Sequence, residues 1–589
     1  MIDAVYAIPP AFVVWLAALL ALFAGRRAGI VAGITAYVLA LAWTLTAPTG
    51  THGSWTFLEF VIVPVAIDPA ARVTGLAFTA FGTVAIGYLA VTGGDRRHVV
   101  AALGYAGAAI WAVFAGDWLG LLVGWELMAL ASTILVWLHG GDAVRVGFRY
   151  ALVHAIGGAI LAAGLALHVV AQGGGTDALH YGDGVSSGLP ALAVGIGVGI
   201  NAAIIGVHVW LPDTYASPHV GVSVVLSAYT TKLAVYAAYR AFPEGNLVLA
   251  YVGGVMAIVG AGYALAQKDA RRLLAYHIQA QVGYILAGIG IGSSLGIAGA
   301  FAHLFNNVLF KGLLFMVAGL IVLRAGTGRL QNGGRLGLHA PVATGIFLVA
   351  AASITAVPGT NGFVSKGMVL DAALEGGHAP LRWLLLVGAV GTIVSFWKFG
   401  YYAIRRGEET RLRDATAGQA LTMLPVAVAC IAIGLAYGLL FDLLPAAAEW
   451  STEPYSQRHV LEKVALFGAG TIVFLAGRPL FERFDGGTDI DAIRDPLVFS
   501  ALERAATATE AVFGTLAAAE RVTRRRTIET VSAPDEAIAR TLPDDIGEQY
   551  RERASGVAGS LGVAPNVWYR YLALICCLVV ALTVGVVVE

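Results

Sequence analysis

Charge is scarce in this sequence: 13% of its 589 residues are Asp, Glu, Lys or Arg, against 58% hydrophobic. Soluble globular domains carry about a quarter charged residues, so that class is excluded. Acidic and basic residues balance at 37 each, which leaves no net field to draw nucleic acid. Cysteine is almost missing. Cys430, Cys576 and Cys577 fall in apolar runs without the paired spacing that holds zinc or an iron–sulfur cluster, so no metal site is predicted and the three read as small core residues. A phosphate-binding loop is missing too. The glycines of Gly195-Ile-Gly197-Val-Gly199 and Gly288-Ile-Gly290-Ile-Gly292 lie inside apolar runs, where close helix packing is their ordinary use. Nothing suits haem or quinone, so no cofactor is expected.

What is present is apolar sequence, with 74 glycines and a mean hydropathy of +0.77. The fold class is an all-α polytopic membrane protein. Runs near the spanning length of roughly 17 to 25 residues fall at about 5-24, 28-47, 70-92, 99-116, 118-138, 147-171, 189-212, 219-242, 247-266, 271-292, 296-323, 341-372, 382-404, 420-442, 461-480 and 567-588, about sixteen transmembrane helices. The first run lacks a basic leader and reads as a retained helix rather than a cleaved signal.

Basic residues fall in alternate loops, at Arg26-Arg27, Arg96-Arg97, Arg145 and Arg149, Lys268 to Arg272, Arg324 to Arg335, Arg405 to Arg413, and from Arg478 onward. The positive-inside rule makes these loops cytoplasmic and puts both termini outside. Arg240, Arg382, Arg458 and Lys463 are exceptions, and the loop at Asp213, which the alternation requires inside, holds no Lys or Arg. The one long polar stretch, 481-566, repeats apolar residues at helical spacing (Val498, Leu502, Ala505, Val512, Leu516). It reads equally as a lateral amphipathic helix or as a solvated tail broken at Pro534 and Pro543.

Ionisable residues inside spans are functional candidates by default. Glu126, in GLLVGWELMALAS, sits too deep to snorkel and needs a partner. Lys232 has the same problem with opposite sign. Lys311 shares a helix with His303, Asn306 and Asn307, and Lys366 follows the interruption Val357-Pro358-Gly359-Thr360-Asn361-Gly362. Lys398, Arg382, Asp371 and Asp117 lie near span ends, where snorkelling accounts for them. His154, His208 and His277 fit structural hydrogen bonding and proton relay equally. The seventh span stops being helical at Trp210-Leu211-Pro212 and the twelfth at Pro358. Two interrupted helices five spans apart point to an inverted repeat of spans 4-8 and 9-13 with an ion path at its interface.

Taken in order, GWELMALAS around Glu126, HVWLPDTYASP at 208-218, KDARRLLAYHIQAQVGY at 268-284, HLFNNVLFKGLLFM at 303-316 and VPGTNGFVSK at 357-366 resemble the proton-conducting membrane transporter family. That family holds the antiporter-like subunits of respiratory complex I, membrane-bound hydrogenases and Mrp-type cation/proton antiporters, and the D-type antiporter component is the nearest in pattern. The resemblance implies an antiporter-like core with two inverted five-helix repeats and broken helices 7 and 12. It also implies a mid-membrane chain through Glu126, Lys232, Lys311 and Lys366, with His303, His208 and His277 as relays. Two positions depart from the pattern: Asn201 stands where many members have a lysine, and Asn307 where a histidine is familiar.

The domains expected are 1-98 (helices 1-3), 99-246 (first repeat), 247-406 (second repeat), 407-480 (helices 14-15), 481-566 (lateral or cytoplasmic segment) and 567-589 (anchor). The function implied is proton translocation in a multisubunit Na+/H+ antiporter of a prokaryotic cytoplasmic membrane, beside other membrane subunits, with no nucleic acid. The alternatives are a pump subunit of an NADH:quinone oxidoreductase-like or hydrogenase complex, and a scaffold whose channel is disabled at Asn201 and Asn307. In mechanism, a carboxylate roughly 6 Å from a lysine interacts with it by about 3 kcal/mol at an effective dielectric near 20. Glu126 beside Lys232 is then the expected switch for loading a proton that passes on to Lys311 and Lys366.

Overall fold

A computed structural model gives the architecture over residues 5–57, 60–333, 335–406, 412–445 and 453–484, with isolated positions between 500 and 549. Met1–Ile490 make one compact unit and Asp491–Glu589 a second. The helices below belong to the first. Beyond Phe484 the predicted 481-566 segment, apart from those positions, and the 567-588 span with Cys576 and Cys577 lie outside the described residues.

In chain order the helices are α1 (Ala11–Ala24), α2 (Arg26–Thr46), α3 (Pro69–Val91), α4 (Arg96–Phe114), α5 (Trp118–Trp137), α6 (Asp142–Ala171), α7 (Leu189–Asn201), α8 (Leu211–Ala216), α9 (Val220–Leu226) and α10 (Thr230–Ala241). There follow α11 (Leu247–Ala266), α12 (Ala270–Ile291), α13 (Ser294–Ala325), α14 (Pro341–Ile354), α15 (Asn361–Glu375), α16 (Ala379–Gly400), α17 (Ala417–Leu435), α18 (Gly438–Phe441) and α19 (Gln457–Phe484). Eleven described helices are long and apolar enough to cross a membrane, and the chain is a multi-pass membrane protein. Polar caps set where spans begin. Asp68, Asp95, Asp117, Asn246, Asp269 and Ser293 each accept an N–H from the first turn of the helix that follows, satisfying donors that the helix itself leaves open.

Between α2 and α3 the chain forms two short antiparallel hairpins that the sequence pattern does not signal, β1 (Gly50–His52) with β4 (Val65–Ile67) and β2 (Trp55–Phe57) with β3 (Phe60–Ile62). Within the membrane region, α12 is the spine. Its Arg271, Arg272, His277, Gln279 and Gln281 make it less apolar than its neighbours, yet it is buried without interruption from Leu273 to Gly290. Hydrocarbon around a bundle supplies no hydrophobic drive, so contact distance decides helix association. A Cβ on Gly290 would lie 2.4 Å from the Ala250 nitrogen of α11, and one on Gly197 2.8 Å from the Leu161 nitrogen of α6. Those glycines are packing residues, as their place in apolar runs predicts.

The breaks are real but sit elsewhere than the prolines suggested. The seventh span ends at Asn201, runs irregularly through 202–210, and restarts as α8 with Pro212 in its first turn, where a missing N–H and a fixed φ suit a helix start. The twelfth ends at Ile354 and restarts at Asn361. Each stop is set by an alanine in the left-handed region, Ala203 (φ +57°) and Ala356 (φ +60°), the only non-glycine residues with positive φ among those described. Both stops are Schellman caps with matching bonds: Ala203 N to Ile200 O (3.1 Å) and Ile204 N to Gly199 O (2.9 Å), against Ala356 N to Ser353 O (3.1 Å) and Val357 N to Ala352 O (2.9 Å). A left-handed glycine follows three residues later in each, Gly206 and Gly359. The eighth span, read as continuous, is also interrupted, over residues 227–229 between α9 and α10.

The charge exceptions among the loops are mostly explained by pairing. Arg240 holds Asp68 (Nη2–Oδ1 2.9 Å), and Arg382 and Lys463 both meet Glu462. Asp213 bridges Arg149 (3.2 Å) and Arg272 (2.7 Å), so its silent loop lies on the same side as two of the basic loops.

Candidate functional site

Three of the four predicted charges converge on the interior. Lys232 and Lys311 are fully buried and Lys366 is 1% exposed. Among the described residues no carboxylate lies within ion-pair distance of any of them. Each ammonium is instead held by a main-chain carbonyl. Lys232 Nζ donates to Ser227 O (2.7 Å), just past the C-terminal end of α9, and Lys366 Nζ to Ile354 O (2.7 Å), the last residue of α14. Both carbonyls are freed by interruptions, and both lie at negative ends of half-helices, which favour a cation. Lys311 Nζ donates to Leu274 O on the spine (2.8 Å). Lys366 also stands 4.8 Å above the Tyr284 ring, a further stabilising contact for a desolvated ammonium. The charges of Lys232 and Lys366 both reach Lys311.

Between the lysines run neutral polar side chains. His303 touches Ser365 (Nδ1–Oγ 3.0 Å), the residue before Lys366, and Gln281 (Nε2–Oε1 3.2 Å). Asn306 donates to Asn361 O (2.9 Å) at the restart of the twelfth span, Gln279 to Ala203 O (3.1 Å) in the other break, and His277 meets Ser395 (2.8 Å). Thus α12 reaches the first interruption and α13 the second. Gln279, Gln281, Tyr284, Ser365 and Ser395 are not among the site residues the sequence points to, although for the first three HIQAQVGY inside an apolar run carries the signal. Several buried atoms here find no partner among the described residues: both amide atoms of Asn201 and Asn307, Asn306 Oδ1, Gln279 Oε1, Gln281 Nε2 and His277 Nδ1. Groups of this kind are ordinarily satisfied by internal water.

Other predicted residues are placed differently. Glu126 is exposed on the outer surface of the chain, where its Oε1 would meet a Cβ on Gly158 at 1.8 Å. No described ion pair joins it to Lys232, which corrects the expected switch pair: Glu126 faces outward while Lys232 sits wholly inside. His208 lies in the irregular 202–210 stretch against Tyr263 and Tyr276, and His154 donates through Nδ1 to Tyr150 O (3.0 Å) beside Trp210. The snorkelling expected of three residues is also overturned. Asp117 is a buried cap taking N–H groups from Gly120 and Val63 (2.7 Å each), Lys398 caps the end of α11 through Leu265 O and Gln267 O (3.0 Å each), and Asp371 is buried against His459 (2.7 Å). Arg382, the fourth, is tied to Glu462. Cys430 is buried.

Known proteins are similar to this chain in sequence and in fold. Residues 115–395 match the family model described as NADH:quinone oxidoreductase/Mrp antiporter, TM. The chain is 30% identical over 304 residues to NADH-quinone oxidoreductase subunit N of Desulforudis audaxviator, covering 48% of this chain and 60% of that protein. It is 27% identical over 348 residues to the D component of a Na+/H+ antiporter of Bacillus subtilis, covering 56% and 69%. In fold it is similar to a chain of the Mrp complex from a Dietzia species (TM-score 0.67, 20% identity, 81% of this chain and 99% of that one) and to a chain of respiratory complex I from Thermus thermophilus (TM-score 0.64, 26% identity, 74% and 99%). The broken spans and buried lysines lie inside residues 115–395, and over that region the chain is similar to the antiporter-like subunits that the NADH:quinone oxidoreductase/Mrp antiporter model describes.

Proposed function

We propose that the chain is the proton-translocating subunit of a multisubunit Na+/H+ antiporter in a prokaryotic cytoplasmic membrane, with both termini outside. The observation that carries this reading is the row of three buried lysines, each held by a main-chain carbonyl. An ammonium has three donors, and Lys311 meets one acceptor among the described residues. Its remaining N–H groups and the unpartnered amides around it need water, which makes a continuous hydrated route the economical arrangement. In this reading Lys232, Lys311 and Lys366 pass the proton, with His303 and Ser365 between the last two and His277 and His208 as side relays. The matching caps at Ala203 and Ala356 support two repeats, 99-246 and 247-406, flanked by 1-98, 407-480, 481-566 and 567-589.

Glu126 supports the presence of partner subunits. A carboxylate exposed in the middle of a span is costly against lipid, and a neighbouring membrane subunit covering it supplies the polar contact. Replacing Lys311 with Ala abolishes proton-coupled transport in vesicles containing the assembled complex; near-normal transport would sink the reading. A pump subunit of a quinone oxidoreductase is the second reading, favoured by the 26% identity to the complex I chain. Identification of the proteins that co-purify decides between them, since redox subunits and small antiporter subunits cannot be confused.

A further inference from the structure

Outward of Lys366 lies a second cluster of buried ionisable groups that the row of lysines does not include. Helix α15 is buried from Asn361 to Ala373 and becomes exposed at Leu374, so Asp371 is its last buried ionisable residue. Asp371 is 4% exposed and its Oδ2 lies 2.7 Å from Nε2 of His459, itself 3% exposed, on α19. The other ring nitrogen, Nδ1, faces Ser456 Oγ (3.1 Å) and Glu453 O (3.2 Å). With an acceptor at each nitrogen the imidazole keeps both N–H groups bonded when protonated. One turn along α19 is Lys463, 6% exposed and 3.7 Å from Glu462 Oε1, and Glu462 is held by Arg382 of α16. Electrostatically Lys463 stands between the two clusters: its charge bears on Lys366, and the charge of Asp371 bears on it.

We propose that Asp371 and His459 form the outer proton-exchange site of the second half-channel, with Lys463 between them and Lys366. The Arg382–Glu462 pair ties α19 to α16, a contact separate from the Asp371–His459 pair that joins α19 to α15. In the transfer Lys366 loses one proton, and the neutral imidazole facing the Asp371 carboxylate gains one, becoming an imidazolium–carboxylate pair. The imidazolium then returns the proton to solvent at the exposed end of α15. Lys463 faces Asp371, with Glu462 and Arg382 around Lys463 and Lys366 further in.

This inference rests on the proposed role of the lysines, so its test includes Lys311→Ala as a control. Proton flux is followed with a lumenal pH dye in vesicles holding the whole complex, with the outer pH varied. His459→Gln and Asp371→Asn each lower flux by about tenfold or more, the scale of a lost proton-transfer group, and His459→Gln changes how flux depends on outer pH. Flux within about twofold of the parent with an unchanged pH profile, while Lys311→Ala is inactive, overturns the exit site and leaves the row of lysines standing. An active Lys311→Ala overturns both. Should His459→Gln not assemble, Lys463→Met leaves the Asp371–His459 pair in place and carries the same expectation, with parental flux as the refuting result.

Discussion

Substitution at Ala356 probes how the helix break serves Lys366. An L-residue in the left-handed helical region carries about 1–2 kcal/mol of strain, which glycine does not. Ala356→Gly relieves that strain but loses one buried methyl, about 0.8 kcal/mol, and adds freedom to the unfolded chain, about 0.5–1 kcal/mol. Its net effect lies within about 1 kcal/mol of zero. Ala356→Val puts a β-branched side chain where positive φ is a genuine outlier, at a residue only 4% exposed. The cost is about 2–3 kcal/mol, from added strain and overpacking together. If the cap yields, Ile354 O turns away from Lys366 Nζ, 2.7 Å distant. The valine variant therefore unfolds several degrees lower and loses about tenfold or more in transport, whereas the glycine variant stays close to the parent. Ala203→Val should cost as much stability, because the cap is the same, but should affect transport less, since the carbonyl released there is taken by the neutral Gln279 side chain. Thermal unfolding of the purified complex and vesicle flux measure both quantities. Valine tolerated at either position, or stability costs at the two differing by more than about 1 kcal/mol, refutes the equivalence of the breaks.

Two further outcomes concern stability. Burial pushes the Asp68 carboxyl up, but the Arg240 guanidinium and hydrogen bonds outweigh it and hold the group below its ordinary value. A depressed carboxyl contributes stability that is fully present above the unfolded value near 3.9 and is lost as pH falls through the folded one. Since Asp68 is 41% exposed, the contribution is about 1 kcal/mol; unfolding midpoints of the parent and Arg240→Gln should differ at pH 7 and converge below about pH 4. Separately, Gly290→Val drives a side chain into α11, where even a Cβ would stand 2.4 Å from the Ala250 nitrogen. It should prevent stable assembly, read as loss of the monodisperse complex in gel filtration, while Gly262→Ala, with nothing within 4 Å of the added Cβ, should assemble normally.

The sequence by itself determined the class of protein, the order of most spans and, among the four charges it singles out, three that the fold buries. Those features are legible because a membrane helix must be apolar over its own length, so Lys232, Lys311 and Lys366 stand out in isolation. Tertiary structure alone decided where the helices stop and which charges meet. Alanine is the strongest helix former, so nothing local marks Ala203 and Ala356 as left-handed caps; they are fixed by neighbours such as Gln279 and Lys366 that bind the carbonyls exposed there. Likewise the sequence places Glu126 deep in a span and Asp371 near a span end, and the fold reverses their exposure. One lies on the outer surface and the other is buried against a histidine 88 residues away, because the direction a helix faces is set by what packs against it.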